Sequence, residues 1–443
     1  MERDEAEPTD TLHAAGTVPA AGTGPDVRPS PVDQAAPAVG GTAEDHRVPL
    51  AHLVSAGVVA ALVGFASASV VVLAGLRAVG ASPAQAASGL LAVCVTQALG
   101  TLWLSRRHRM PIVLAWSTPG AALLASTGAV DGGWPAAVGA FLLVGALILL
   151  TALWPRLGAL VASIPGPIAQ AMLAGVLLAL CLAPVHGLVD HPALVAPAVV
   201  GWLALLRLAP RWAVPAAFAV AVVTIGIWLD RHGGLDGPLL PRVELTAPTL
   251  TWASTLSLAL PLYVVTMASQ NVPGVAVLAS YGYTVPWRES MTVTGLGTVA
   301  GACAGGHAIN LAAITAALVA SPDAHPDRRR RWLVAHLAGA TYLILALVST
   351  VLVTVVTAAP AGVTTAVAGL ALVGTLASSL TAALAEPDER QAAIVTFVVA
   401  ASGTTVAGIG AAFWALAAGL LVRATLRRRR GPVPAGAPAR RAS

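Results

Sequence analysis

The chain has 443 residues, 57% of them hydrophobic and only 10% charged. Soluble domains carry about 25% charged residues, so an ordinary globular enzyme or binding module is excluded. All 25 basic residues are arginine, which removes P-loop, Schiff-base and Ser-x-x-Lys chemistry; the net charge of +5 reads as positive membrane flanks and not as a nucleic-acid surface.

The first 50 residues hold nine acids against three arginines. Residues 1–47 are rich in Ala, Pro, Gly and Thr without apolar periodicity, which predicts a disordered acidic cytoplasmic tail. That acidic start lacks the apolar core of a signal peptide. About fourteen apolar segments follow, near 50–77, 86–104, 111–128, 134–153, 161–182, 192–208, 212–229, 251–279, 289–304, 307–320, 332–357, 362–384, 390–405 and 407–426. The fold class is therefore an all-α polytopic membrane protein. The third and tenth segments are broken by Pro, Gly, Ser, Thr or Asn and read as half-helices entered through extended chain. The last two are short, which leaves a single re-entrant hairpin open there. Residues 427–443 form a basic tail.

Arginines cluster after the even-numbered segments, at Arg106, Arg107, Arg109, Arg156, Arg207, Arg211, Arg288 and Arg328 to Arg331. Fourteen crossings place all of these on one side, with Arg77, Arg231 and Arg242 as the exceptions outside, and the positive-inside rule then puts both termini in the cytoplasm of an inner-membrane protein. The three cysteines, Cys94, Cys181 and Cys303, lie unpaired in apolar stretches and read as buried thiols.

An internal repeat supports the count. F-A-S-A-S-V at 65–70 matches M-A-S-Q-N-V at 267–272, and the same offset pairs Gly80 with Gly282 and Thr96 with Thr298. A-A-L-L-A-S at 121–126 matches A-A-L-V-A-S at 316–321. Seven segments, an odd number, separate the copies, so the repeats are inverted. Residues 48–230 form the first repeat, 231–250 an external linker and 251–426 the second. Inverted repeats with broken helices are a transporter architecture with its site near the midplane.

Three stretches could carry chemistry. In the third segment, Trp116-Ser117-Thr118-Pro119-Gly120 reads as a helix start at membrane depth, where free N–H groups and the helix dipole suit an anion. In the eighth, Ser269, Gln270 and Asn271 sit together in an apolar run, costly unless they find partners or bind substrate. In the tenth, Asn310 is expected to cap the second half-helix, and His307 is the best proton carrier. His336 reads as structural, bonded to a helix carbonyl. The expected substrate-binding set is thus Trp116, Ser117, Thr118, Gly120, Ser269, Gln270, Asn271 and Asn310, with His307 for coupling. No metal or cofactor is expected, and no cluster of acids and histidines that an enzyme would need lies within the spans.

At P-I-V-L-A-W-S-T-P-G-A-A-L, M-A-S-Q-N-V-P-G and G-G-H-A-I-N-L-A-A-I-T-A-A the sequence resembles the benzoate:proton symporter family (BenE) over about residues 48–425. The resemblance implies uptake of benzoate with a proton across the inner membrane. The wider relatives, the uracil and xanthine permeases, imply seven-plus-seven inverted repeats with core and gate domains, often as dimers. Those permeases hold a base with acidic residues in the eighth and tenth helices. Here Ser269-Gln270 and Ile309-Asn310 stand in the corresponding places, which disfavours a nucleobase. The long acidic tail departs from the family pattern. The expectation is a proton-coupled importer of an aromatic carboxylate in the lipid bilayer, with an anion channel on the same scaffold as its rival.

Overall fold

The computed structural model describes residues 49–154, 156–158, 163–232, 234, 240–360 and 362–429. The expected acidic tail, residues 233 and 235–239 of the 231–250 linker and residues 430–443 of the basic tail lie outside the described residues.

The first half runs α1 (Leu50–Ala78), α2 (Pro83–His108), β1 (Leu114–Trp116), α3 (Thr118–Thr127), α4 (Gly133–Leu153), α5 (Gly166–Asp190), α6 (Pro192–Leu208) and α7 (Ala213–Arg231). The second runs α8 (Trp252–Ser280), α9 (Trp287–Ala302), β2 (Ile309–Leu311), α10 (Ile314–Ala320), α11 (Arg331–Ala358), α12 (Val363–Ala383), α13 (Arg390–Ala401) and α14 (Ala411–Arg429). Among the described residues, eight helices are long and apolar enough to cross a membrane. At 1.5 Å per residue the 12-residue α13 reaches only about 18 Å, short of the roughly 30 Å hydrocarbon core. The fifth segment is shifted from its expected limits: α5 runs on through Pro184 to Asp190.

Local chemistry explains where these elements start and bend. Ser82 opens α2 with a capping box, its hydroxyl accepting the Gln85 N–H at 3.2 Å while Gln85 Oε1 accepts the Ser82 N–H at 2.9 Å. The α8 helix contains two π-helical turns, Thr255–Ala259 and Met267–Asn271, the second spanning the Ser269-Gln270-Asn271 cluster. Such turns widen a helix locally and recur at functional sites.

Packing shows the inverted repeat. Helix α2 packs on α11, and adding or subtracting seven gives the mate pair α9 on α4. In the same way α3 on α8 mirrors α10 on α1, α6 on α7 mirrors α13 on α14, and α5 packs on α12, its own mate. Gly80 and Gly282 close the turns after α1 and α8 at φ of +106° and +79°, a region only glycine enters freely.

The expected match of Thr96 with Thr298 is corrected by two residues that do the same job. Thr101 Oγ1 accepts the Leu114 N–H at 2.9 Å and Thr298 Oγ1 accepts the Ile309 N–H at 3.1 Å. Each threonine follows a glycine, Gly100 or Gly297, against which the Leu114 or Ile309 side chain packs. The repeated unit is L-G-T, at 99–101 and 296–298. Alignment at a single offset missed it because the two copies of the helix differ in length.

The two broken segments meet in a two-stranded antiparallel ribbon, with Leu114 opposite Leu311, Ala115 opposite Asn310 and Trp116 opposite Ile309. Its ends close through Ala312 N–H to Val113 O and Ser117 N–H to Ala308 O, both 2.9 Å. Within hydrocarbon, backbone groups need protein partners. The threonines supply two of them, and Asn271 Oδ1 supplies a third by accepting the Leu311 N–H at 2.9 Å.

Candidate functional site

A cavity of about 350 Å³ lies where the two half-helices start. Thr118 and Pro119 line it from α3, and Ala313, Ile314 and Thr315 from the opposed start of α10. Helix α1 adds Gly64, Ser67 and Ala68, α8 adds Ser269, Gln270 and Pro273, and the ribbon adds Ala115 and Trp116. The far wall comes from α5 (Gln170, Leu173) and α12 (Thr375, Ser378, Ser379, Ala382). Among the described residues, no charged side chain lines it. Its polarity is therefore carried by hydroxyls, amides and backbone.

The α3 start is closed by its own sequence. Ser117 is the cap: its Oγ accepts the Gly120 N–H at 3.1 Å and the Thr266 hydroxyl at 2.9 Å. Thr118 is thus the first helical residue and not the cap, and its side chain is free to face the cavity. Gly120 serves packing and not the lining, since a Cβ there would overlap Leu262 and stand 2.7 Å from Ser117 Oγ.

The α10 start differs. Asn310 does not cap it: Asn310 lies in β2, its Nδ2 donates to Leu311 O at 2.8 Å, and the helix begins four residues later without a side-chain cap. The ribbon takes the stretch that a cap would need. Asn271 also leaves the expected binding set. It is fully buried, does not line the cavity and spends its amide on Leu311 N–H and on Met267 Sδ at 3.2 Å.

Ser269 and Gln270 do face the cavity, and the buried Ser269 hydroxyl has no hydrogen-bond partner among the described residues. Trp116 is wedged edge-to-face between Phe65 and Tyr342, with ring centroids 5.9 and 6.0 Å away. His307 is not in the lining. It is buried behind the ribbon, with Nε2 3.2 Å from Ser117 O and its ring edge-on to Phe141. His336 pairs its Nδ1 with the Ser105 hydroxyl at 3.3 Å and stands edge-on to Trp332.

Sequence reasoning missed Gly64, Thr315 and Tyr342. The Tyr342 hydroxyl and the Thr315 hydroxyl in the first turn of α10 both border Gly64, and the tyrosine fills the space a side chain there would need. A tyrosine deep in an apolar helix was the available signal, because a buried hydroxyl requires a partner.

Two broken helices meeting at a cavity between inverted repeats define a polytopic membrane transport protein. The chain belongs to the benzoate membrane transport protein family (BenE), whose pattern it matches over residues 47–425. It is 39% identical over 366 residues to the inner membrane protein YdcO of Escherichia coli, covering 82% of this chain and 93% of that one. It is 30% identical over 376 residues to the benzoate membrane transport protein of Acinetobacter baylyi, covering 83% and 93%. The same fold occurs in the transmembrane domain of a cyanobacterial bicarbonate transporter, BicA, at TM-score 0.55 and 15% identity over 80% of this chain and 98% of that one. Murine Solute Carrier 26 family member A9, an anion transporter in its inward-facing state, gives TM-score 0.54 and 13% identity over 86% of this chain and 69% of that one.

Proposed function

We propose that this protein imports benzoate or a related aromatic carboxylate together with a proton, by alternating access. The observation that carries the reading is the charge-free cavity between the two half-helix starts. A site without carboxylates does not repel an anion. It supplies neutral donors, which stabilise a carboxylate as strongly as charged hydrogen bonds allow, at about 1.5–3 kcal/mol each.

The cavity is polar on one side and apolar on the other. The inverted repeat pairs Ser67 with Ser269 and Ala68 with Gln270, so the second repeat carries the extra amide. The carboxylate sits toward Ser269, Gln270 and Thr118, and the ring against Ala68, Val63 and Trp116. Helices α1–α4 and α8–α11 form the core that holds substrate, α5–α7 and α12–α14 the gate, with repeats over 48–230 and 251–426. With α5 and α12 as the far wall of the cavity, the substrate lies at the boundary between the two in this reading, where relative motion exposes it to one side at a time. His307 carries the coupled proton. The arginine-bearing loops face the cytoplasm of the inner membrane, with both termini on that side, and the protein works as a homodimer.

Reconstituted vesicles test this. Labelled benzoate should accumulate when the outside is acidic, with competition by substituted benzoates and none by uracil. Uptake that equilibrates without accumulation, whatever the pH gradient, would instead make the protein a channel or uniporter.

A further inference from the structure

The ribbon has four outward-facing N–H groups, and the two repeats treat them unequally. Leu114, Ile309 and Leu311 donate to Thr101, Thr298 and Asn271. The fourth belongs to Trp116, whose register opposite Ile309 makes it a non-hydrogen-bonded pair in an antiparallel ladder. Among the described residues no acceptor meets it.

The repeat says which residue should. The offset that matches 65–70 with 267–272 makes Ser69 the counterpart of Asn271, and the half-helix offset makes Trp116 the counterpart of Leu311. Phe65, one turn before Ser69 on α1, packs edge-on to the Trp116 ring at 5.9 Å between centroids. Ser69 is fully buried and its hydroxyl has no partner among the described residues. The serine oxygen stands one bond nearer the backbone than the asparagine Oδ1, so it stops short of the N–H that its counterpart reaches. The repeat offsets therefore relate two orphaned polar groups as counterparts of a bonded pair, and each would cost the fold its desolvation penalty if left unmet.

We propose that Ser69 Oγ and the Trp116 N–H together bind one buried water molecule, which takes the place of the Asn271 amide oxygen. Buried waters settle where two or more polar groups lack partners. A water bridge also yields more easily than a side-chain bond, so β1 is the softer strand of the ribbon, and Trp116, a cavity wall, is held through solvent. The inference does not depend on which substrate the cavity takes.

Amide hydrogen exchange resolved to single residues, on the full chain in detergent, compares the two counterpart N–H groups directly. Trp116 should exchange at least 10-fold faster than Leu311, and Asn271→Ser should bring Leu311 to the Trp116 rate. With saturating benzoate present, Trp116 should still exchange faster than Leu311. Equal protection of Trp116 and Leu311 in the native chain would overturn the proposal. So would benzoate slowing Trp116 to the Leu311 rate, which would make the occupant a substrate oxygen. An experimental density map that resolves ordered solvent should show a peak within hydrogen-bond reach of both atoms; a direct Ser69–Trp116 bond would refute the bridge.

Discussion

His307 Nε2 stands 3.2 Å from the carbonyl oxygen of Ser117, the residue that caps the first half-helix. A carbonyl only accepts, so Nε2 carries the hydrogen and Nδ1 is the free base. A proton arriving at Nδ1 would create an imidazolium that touches the α3 start without entering the cavity. On the coupling role proposed for His307, His307→Gln keeps a donor for Ser117 O and loses the titratable group. Downhill benzoate exchange should stay within about 2-fold of the native rate, while accumulation driven by a proton gradient falls more than 10-fold. Measuring both on one preparation decides the matter. Unchanged accumulation would leave His307 a structural residue and send the proton with the acid or through His336.

Gln270 and Asn271 are neighbours with separable jobs. Gln270 lines the cavity, whereas Asn271 holds the Leu311 N–H. Losing one ligand hydrogen bond of about 0.5–1.5 kcal/mol should raise the half-saturation constant roughly 2- to 10-fold in Gln270→Ala, with little change in melting temperature. Asn271→Ala orphans a buried donor at a cost of about 1–3 kcal/mol, so it should lower the melting temperature. Thermal unfolding and uptake kinetics on both variants check the division. A stable Asn271→Ala with a raised half-saturation constant would return Asn271 to the binding set.

The repeat makes a prediction about equality. Thr101 and Thr298 hold mate N–H groups on β1 and β2 at 2.9 and 3.1 Å. Thr101→Val and Thr298→Val keep the shape and remove the acceptor, so each should destabilise by about 1–3 kcal/mol. The two losses should agree within about 1 kcal/mol in a denaturation series. A large imbalance would mean that the ribbon's halves are not equivalently anchored.

How much of this was legible in the sequence depends on the range of the interactions. Ser117-Thr118-Pro119-Gly120 announced a helix start because capping is local: the hydroxyl and the N–H it accepts are three residues apart. The same reasoning failed at Asn310. Its role is set by pairing with Ala115, far away in the chain, and no local pattern distinguishes a strand residue there from a cap. The equivalence of Gly80 and Gly282 was legible because a left-handed turn demands glycine. The contact of Tyr342 with Thr315 was not, because it exists only once α11 has packed beside α10. The polar residues on α5 and α12 were missed for the same reason: serines and threonines in an apolar helix usually bond their own backbone, as Ser378 does with Thr375 O at 3.0 Å.

Gly64 tests the cavity from its wall. A Cβ at this position would overlap the Tyr342 hydroxyl and stand 3.3 Å from Thr315 Oγ1. Gly64→Ala should therefore push Tyr342 aside and reduce uptake at least 10-fold without unfolding α1, since alanine favours helix by about 1 kcal/mol over glycine. Tyr342→Phe removes the overlapping atom, so the double variant should recover most of the uptake. If Gly64→Ala transports normally, the tyrosine has room to move and does not shape the site.

The last prediction concerns which end of the cavity is shut. Its lining follows α12 to Ser378, Ser379 and Ala382 in the final turns, and α5 from Gln170 near the first, so it extends toward the arginine-bearing face. At the other face the turn before α14 sits on the core helices. Gly410 lies 3.5 Å from Thr127 Cγ2 and 3.8 Å from Ser257, both measured from an added Cβ. Thr127 ends α3, the helix whose start walls the cavity. If the core slides past the gate to open that face, this contact must part. Cysteines at both positions place a sulfur near the Thr127 Cγ2 site, close to disulfide geometry. In a background lacking Cys94, Cys181 and Cys303, oxidised Thr127→Cys/Gly410→Cys should bind benzoate from the arginine-bearing side yet transport none, and reduction should restore transport. Full transport by the oxidised, verified cross-link would show that the two helices move as one body, and the boundary between core and gate would have to be redrawn.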